Sequence, residues 1–179
     1  SNVFRVQSDW EEVVKLRNEI AKLKQELKTM DSTQSPAAFK ALNTQLSAST
    51  QRMNELVSEA AKAGAVMESD FKKKIFDASQ SVNGFTEKII AQKAVVKDIE
   101  ADVKRLGDAY RTALRRNPLS ASSKLEEYNA ARKALDEEKA ALFGLTQQQA
   151  EARLSVKKLR DEYALYKDCL LYTSPSPRD

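Results

Sequence analysis

Apolar side chains recur at alternating steps of three and four residues along most of this sequence. That spacing admits little besides helices packed on other helices. In the first run, Val13, Leu16, Ile20, Leu23, Leu27 and Met30 keep the alternation without a miss. A mean period of 3.5 holds all six on one seam that a partner helix can follow. A second run passes through Phe39, Leu42, Leu46, Ser49, Met53, Leu56, Ala60, Ala63 and Met67, and a denser helical pattern continues over Phe71, Ile75, Phe76, Ala78 and Val82. A further seam comprises Phe85, Ile89, Gln92, Val96, Ile99, Val103, Leu106, Tyr110 and Ala113. The last is the longest: Tyr128, Ala131, Leu135, Glu138, Leu142, Leu145, Gln149, Ala152, Val156, Leu159, Tyr163 and Tyr166. The expected fold is all-α, with long amphipathic helices forming coiled-coil hairpins or an extended rod, and no β-sheet.

Local signals divide these runs. Ser8 with Glu11 three residues on reads as a capping box opening the first helix. Asp31–Ser35 interrupts the pattern, and Ser35 followed by Pro36 reads as the cap and first turn of the next helix. The loop between them is short enough for an antiparallel helical hairpin. Ala60 and Ala63 bury little area, so this end of the hairpin is expected to hold weakly, with Gly64 a further soft point. Asn83-Gly84 is a turn signal that predicts a break or, failing that, a kink. Asn117-Pro118 ends a helix, because the residue before Pro avoids the α region. Ser123 with Glu126 reads as a second capping box, and Gly144 should cost about 1 kcal/mol against Ala. The expected division is a helical hairpin region over 1–82, a long coiled-coil region over 83–168, and a disordered tail over 169–179. Helices over 85–116 and 123–168 would measure roughly 48 and 69 Å at 1.5 Å per residue. Gln92, polar within its seam, either fixes register or sits at a wet edge.

Composition excludes most chemistry. Histidine is absent, which removes the commonest acid/base group and the commonest neutral metal ligand. One cysteine, Cys169, makes neither an internal disulfide nor a zinc ligand set. Four glycines provide no phosphate loop or nucleophile elbow. Asp136-Glu137-Glu138 reads as a solvated helix face, since acid/base carboxylates need burial and pairing. The chain is therefore expected to be no enzyme and to need no cofactor and no metal. The net charge of +4 is dispersed. Lys72-Lys73-Lys74 and Arg115-Arg116 read as solvated faces or, failing that, phosphate contacts, and no motif for specific nucleic acid accompanies them. No apolar stretch suits a signal peptide or a membrane span, so synthesis and use without export are expected. Trp10, the one tryptophan, is either a packing anchor at the mouth of the first hairpin or a partner contact.

The final Cys169-Leu-Leu-Tyr-Thr-Ser-Pro-Ser-Pro-Arg-Asp179 loses the helical period and holds two of the four prolines. It reads as the translation of a sequencing adapter joined to a truncated frame, or as a natural tail with Ser-Pro phosphorylation sites. On the first reading the natural protein continues past Asp168.

Three stretches carry a resemblance: FRVQSDWEEVVKLRNEIAKLKQEL, DASQSVNGFTEKIIAQKAVVKDIEADVKRLGDAYR, and YNAARKALDEEKAALFGLTQQQAEARLSVKKLRDEYALYKD. Together they resemble the N-terminal part of tail tape measure proteins from phages and prophages of Bacteroidales-type bacteria. The resemblance spans nearly all of 1–168 but rests on no short signature. It implies a helical ruler and scaffold for tail tube assembly, made in the host cytoplasm and housed in the tail lumen of the virion. It further implies self-association through coiled coils, with tail tube and tail assembly chaperone proteins as partners. It transfers no catalytic residue. The alternative from a different class is a cytoplasmic coiled-coil adaptor or scaffold that binds a partner protein through its helices.

Overall fold

A computed structural model of the chain describes residues 4–173. They are almost wholly helical: α1 (Val6–Thr29), α2 (Pro36–Lys62), α3 (Gly64–Arg116), a single 3₁₀ turn at Pro118–Ser120, and α4 (Ala121–Thr173). No strand occurs among the described residues. The chain divides into two compact units, Ser1–Lys74 with Leu159–Asp179, and Ile75–Lys158. The helices α3 and α4 each supply residues to both.

Helix ends depart from expectation in instructive ways. Helix α1 opens at Val6 with Arg5 as its cap, not at Ser8. The Asp9 carboxylate accepts the Arg5 backbone N–H at 2.6 Å, and burial of Phe4 draws the start back toward it. Between α1 and α2, Asp31 accepts both the backbone N–H and the hydroxyl of Thr33, at 2.9 and 2.6 Å. Those bonds to the ionised form hold the Asp31 carboxyl below its ordinary range. Pro36 occupies the first turn of α2 after Ser35. One residue, Ala63, separates α2 from α3: its N–H is donated to Glu59 and Ala60, and its carbonyl accepts from Val66 and Met67. Helix α3 ends at Arg116, ahead of Pro118, as the X-Pro rule requires. The 3₁₀ turn then feeds directly into α4, so the Ser123 capping box is not used.

The break expected at Asn83-Gly84 does not form, and α3 continues through it as one helix. Both neighbours, Val82 and Phe85, stay in register with the seam and are half-buried. Their burial outweighs a glycine penalty of about 1 kcal/mol. Gly144 is likewise inside α4. A Cβ added at Gly84 or Gly144 meets nothing within 4 Å, whereas at Gly107 it would lie 2.8 Å from Cε2 of Tyr128. Gly84→Ala and Gly144→Ala are therefore expected to stabilise by about 0.5–1 kcal/mol each. At Gly107 the same helical gain is opposed by about 1–3 kcal/mol of overpacking, so G107A yields no net gain. Urea unfolding of the three variants, followed by helicity, checks the contrast.

The tail expected from Cys169 begins as helix. Residues 169–173 complete α4, and Cys169 and Leu170 pack into the core of the first unit. Cys169 and Leu170 continue a buried face, which the loss of sequence period concealed, while Leu171 is exposed. The rest of that expected tail, 174–179, lies outside the described residues.

Candidate helix-packing sites

In the unit formed by Ser1–Lys74 and Leu159–Asp179, α1 and α2 pack together. They run antiparallel, since Glu12 early in α1 meets Arg52 late in α2. That two-pronged pair is solvent-exposed and screened by water and salt, so it adds little to stability. The core gathers Phe4, Trp10, Val13, Leu56, Val57, Ala60, Met67, Phe71, Tyr166 and Cys169. Ala60 is fully buried at its centre. The end of the hairpin expected to hold weakly is thus packed, with larger side chains gathered around the small one. Sequence reading also passed over Val57. With Met53, Leu56 and Ala60 it makes an i, i+1, i+4 broadening of the stripe, the sign of a helix contacting more than one neighbour.

Trp10 anchors this core. Its ring stands edge-on to Phe71 and Tyr166, with centroids 6.0 and 5.4 Å away, and Phe71 stacks on Tyr163 at 5.4 Å. Such pairs add about 0.5–1.5 kcal/mol beyond area burial. Trp10 is only 4% exposed, so the exposure a partner contact needs is not there. Its indole N–H has no hydrogen-bond partner among the described residues. The Tyr166 hydroxyl donates to the Gly64 carbonyl at 3.3 Å, and Tyr163 donates to Glu68 at 3.2 Å. Arg17 reaches the Cys169 sulfur at 3.6 Å, yet burial pushes the thiol above its ordinary pKa. A thiol held protonated is a poor nucleophile.

The two phenols carry a pH consequence. Burial first, then the Glu68 hydrogen bond, raises Tyr163, and burial first, then the Glu68 charge, raises Tyr166. Their ionised forms are thus less favourable folded than unfolded. This contribution is complete below the ordinary tyrosine pKa of about 10 and is lost as pH rises through the folded values. Urea midpoints measured from neutral pH into the alkaline range should fall, and Tyr163→Phe with Tyr166→Phe should flatten the decline.

Alongside α2 lies an open groove of about 1510 Å³. Phe4, Arg5 and Asp9 line it on one side, and Leu46, Thr50, Asn54 and Ser58 of α2 on the other. Its carboxylates are committed locally: Asp9 to the Arg5 N–H, Glu55 to Arg52, and Glu59 to Lys62. No group of three or more metal-binding side chains occurs among the described residues.

The remaining seam residues of this unit are placed as follows. Val13, Ile20, Leu23 and Leu56 are buried, while Leu16, Leu27, Met30, Phe39, Leu42, Leu46 and Met53 are half-buried. On α4, Leu159 and Tyr163 are half-buried too.

The unit Ile75–Lys158 pairs α3 residues with α4 residues in antiparallel order. Tyr110 stacks on Tyr128 with centroids 6.4 Å apart, Gln92 meets Glu138, and Thr86 meets Gln149. Gln92 donates to the Glu138 backbone carbonyl at 2.9 Å and to its carboxylate. Gln149 donates to Val82 O at 3.2 Å and to the Thr86 hydroxyl at 2.7 Å. The three polar members of the two seams thus bond across the seam at specific levels, as register-fixing groups do. Ile89, Val96 and Val156 are buried, and Ile99, Val103, Leu106, Tyr110, Leu135, Leu142 and Leu145 are half-buried. Two helices alone cannot enclose a seam on every side, which accounts for the partial exposure.

No helix among the described residues is long and apolar enough to cross a membrane. Compared with known proteins, the chain matches no family model, no curated protein and no solved structure.

Proposed function

We propose that this chain is a structural protein whose work is helix pairing: the N-terminal part of a phage tail tape measure protein, acting as helical ruler and scaffold for the tail tube. The observation that supports an assembly role is the seam register, kept through α3 and α4 and punctuated by Gln92, Glu138 and Gln149 bonded across it. A ruler needs a fixed rise per residue, and a continuous helix supplies it. The three stretches quoted above point from a generic helical scaffold to the tape measure family. The partners on this reading are tail tube and tail assembly chaperone proteins, and the place is the tail lumen of the virion.

Reading the source DNA through codon 168 into its neighbours tests the proposal. It expects the frame to continue into a long helical chain beside genes for tube-forming and tip proteins. A frame that stops after Asp179 overturns it, because 179 helical residues reach only about 270 Å.

A further inference from the structure

Within Ile75–Lys158 the two flanks of the helix pair differ in size and in charge. Label the seam positions a and d, so that Val82, Ile89 and Val96 are a, and so are Tyr128, Leu135 and Gln149. In an antiparallel pair, the e positions of both helices border the seam on one side with b beyond them, and g and c lie on the other. The contacts obey this arrangement: Thr86 and Gly107, both e, meet Gln149 and Tyr128, both a.

The b/e flank is bulky and basic. Phe76, Ile90 and Phe143 lie there at b positions and are 62, 64 and 65% exposed, with Leu114 at e also exposed. Of the other exposed large apolar residues of these helices within Ile75–Lys158, Val95 is at g and Leu154 at f, on the back of α4. On α3 the charges of this flank are Lys93, Lys97, Lys104 and Arg111 against Glu100. On α4 they are Arg132, Lys139, Arg153 and Lys157 against Asp136. Eight basic residues thus face two acidic ones.

The c/g flank is small and acidic. Asp77, Asp98, Asp102, Glu127, Glu137 and Glu151 outnumber Lys88, Arg105, Arg116 and Lys158, six against four. Some of this charge is bridged within its own helix, Asp102 to Arg105 and Glu127 to Lys124, as Arg111 of the basic flank is to Asp108. Between these charges the positions are filled by small residues, among them Gly84, Ala91, Ala134, Ala141 and Gly144. The pairings Gln92–Glu138 and Thr86–Gln149 put Ile90 and Phe143 at one level of the pair. Ala91, Ala141 and Gly144 fall at that same level on the opposite flank, and beyond Gly144 there is open space.

We infer that this unit docks side by side with a second copy of the same chain. Ile90 and Phe143 of one copy pack on Ala91, Ala141 and Gly144 of the next, and the basic flank meets the acidic one. Pairing two basic flanks would set like charges together, so the contact is heterologous and leaves a free face at each end of the array. This pairing does not depend on the tail tape measure reading.

Light scattering on the full chain across a concentration series, at low and high salt, tests this. Association should appear in the micromolar range and weaken several-fold as salt screens the flanks. Gly144→Leu blocks the small flank, and Ile90→Gln with Phe143→Gln blunts the bulky one. Each should weaken association at least about tenfold while helicity is kept, since all three sites are open to solvent. An equimolar mixture of the two variants should form two-chain complexes and nothing larger, because each still offers one intact face. A chain that stays monomeric under all conditions, variants that associate like the parent, or a mixture that forms no pairs would each overturn the proposal. So would a monomer whose basic flank instead retains heparin.

Discussion

Trp10→Ala should lower the stability of the unit it anchors by about 3–5 kcal/mol, the range for truncating a buried aromatic side chain. Trp10 is 4% exposed and touches Phe71 and Tyr166 edge-on, so the loss removes two aromatic contacts along with its own buried area. Partial relief comes from removing an indole N–H that has no partner among the described residues, a group whose burial costs about 1–3 kcal/mol. Trp10→Phe should therefore lose much less than Trp10→Ala, since it keeps a ring and removes the unsatisfied donor. Urea unfolding followed by far-ultraviolet circular dichroism separates the two. In the parent chain, the fluorescence of this one tryptophan reports the same unit. A Trp10→Ala variant with the parent's midpoint would mean that the aromatic cluster contributes little to this unit.

Met67→Ala should cost about 2–5 kcal/mol in the same unit. Met67 is one of the two largest fully buried side chains, the other being Val13. It sits one turn into α3, just after the one-residue interruption at Ala63, and its N–H is donated to the Ala63 carbonyl. Ala60, fully buried in the same core, has only a methyl group with which to fill the gap. Met67→Leu nearly conserves volume and should cost less than about 1.5 kcal/mol. Equal losses for Ala and Leu would show that shape, not buried volume, governs this position.

Both sites show how far the sequence could be read. Met67 is the last member of the second seam, so its burial was legible in the spacing. Its place just after the interruption between α2 and α3 was not, because the seam keeps its period through Ala63 while the helix is interrupted there. Trp10 lies off the first seam, and no spacing rule separates a packing anchor from a partner contact. Its burial needs Phe71 and Tyr166, 61 and 156 residues further along the chain. Asn83-Gly84 misled for the opposite reason: a strong local turn signal lost to burial of Val82 and Phe85 on the continuing seam. Gln92 had two open readings, and the bond to Glu138 placed it across the seam.

The sequence alone determined the all-α class and which face of each helix turns inward. Both follow from a periodicity that every residue carries locally, and helical geometry converts that period into a stripe. Only the tertiary structure decided which stripes meet. It joined the end of α4 to α1 and α2, buried Cys169 beside Arg17, and set Thr86 opposite Gln149. Those choices rest on contacts between residues far apart in the chain, where closure entropy, side-chain volume and hydrogen-bond reach select among partners that share one period.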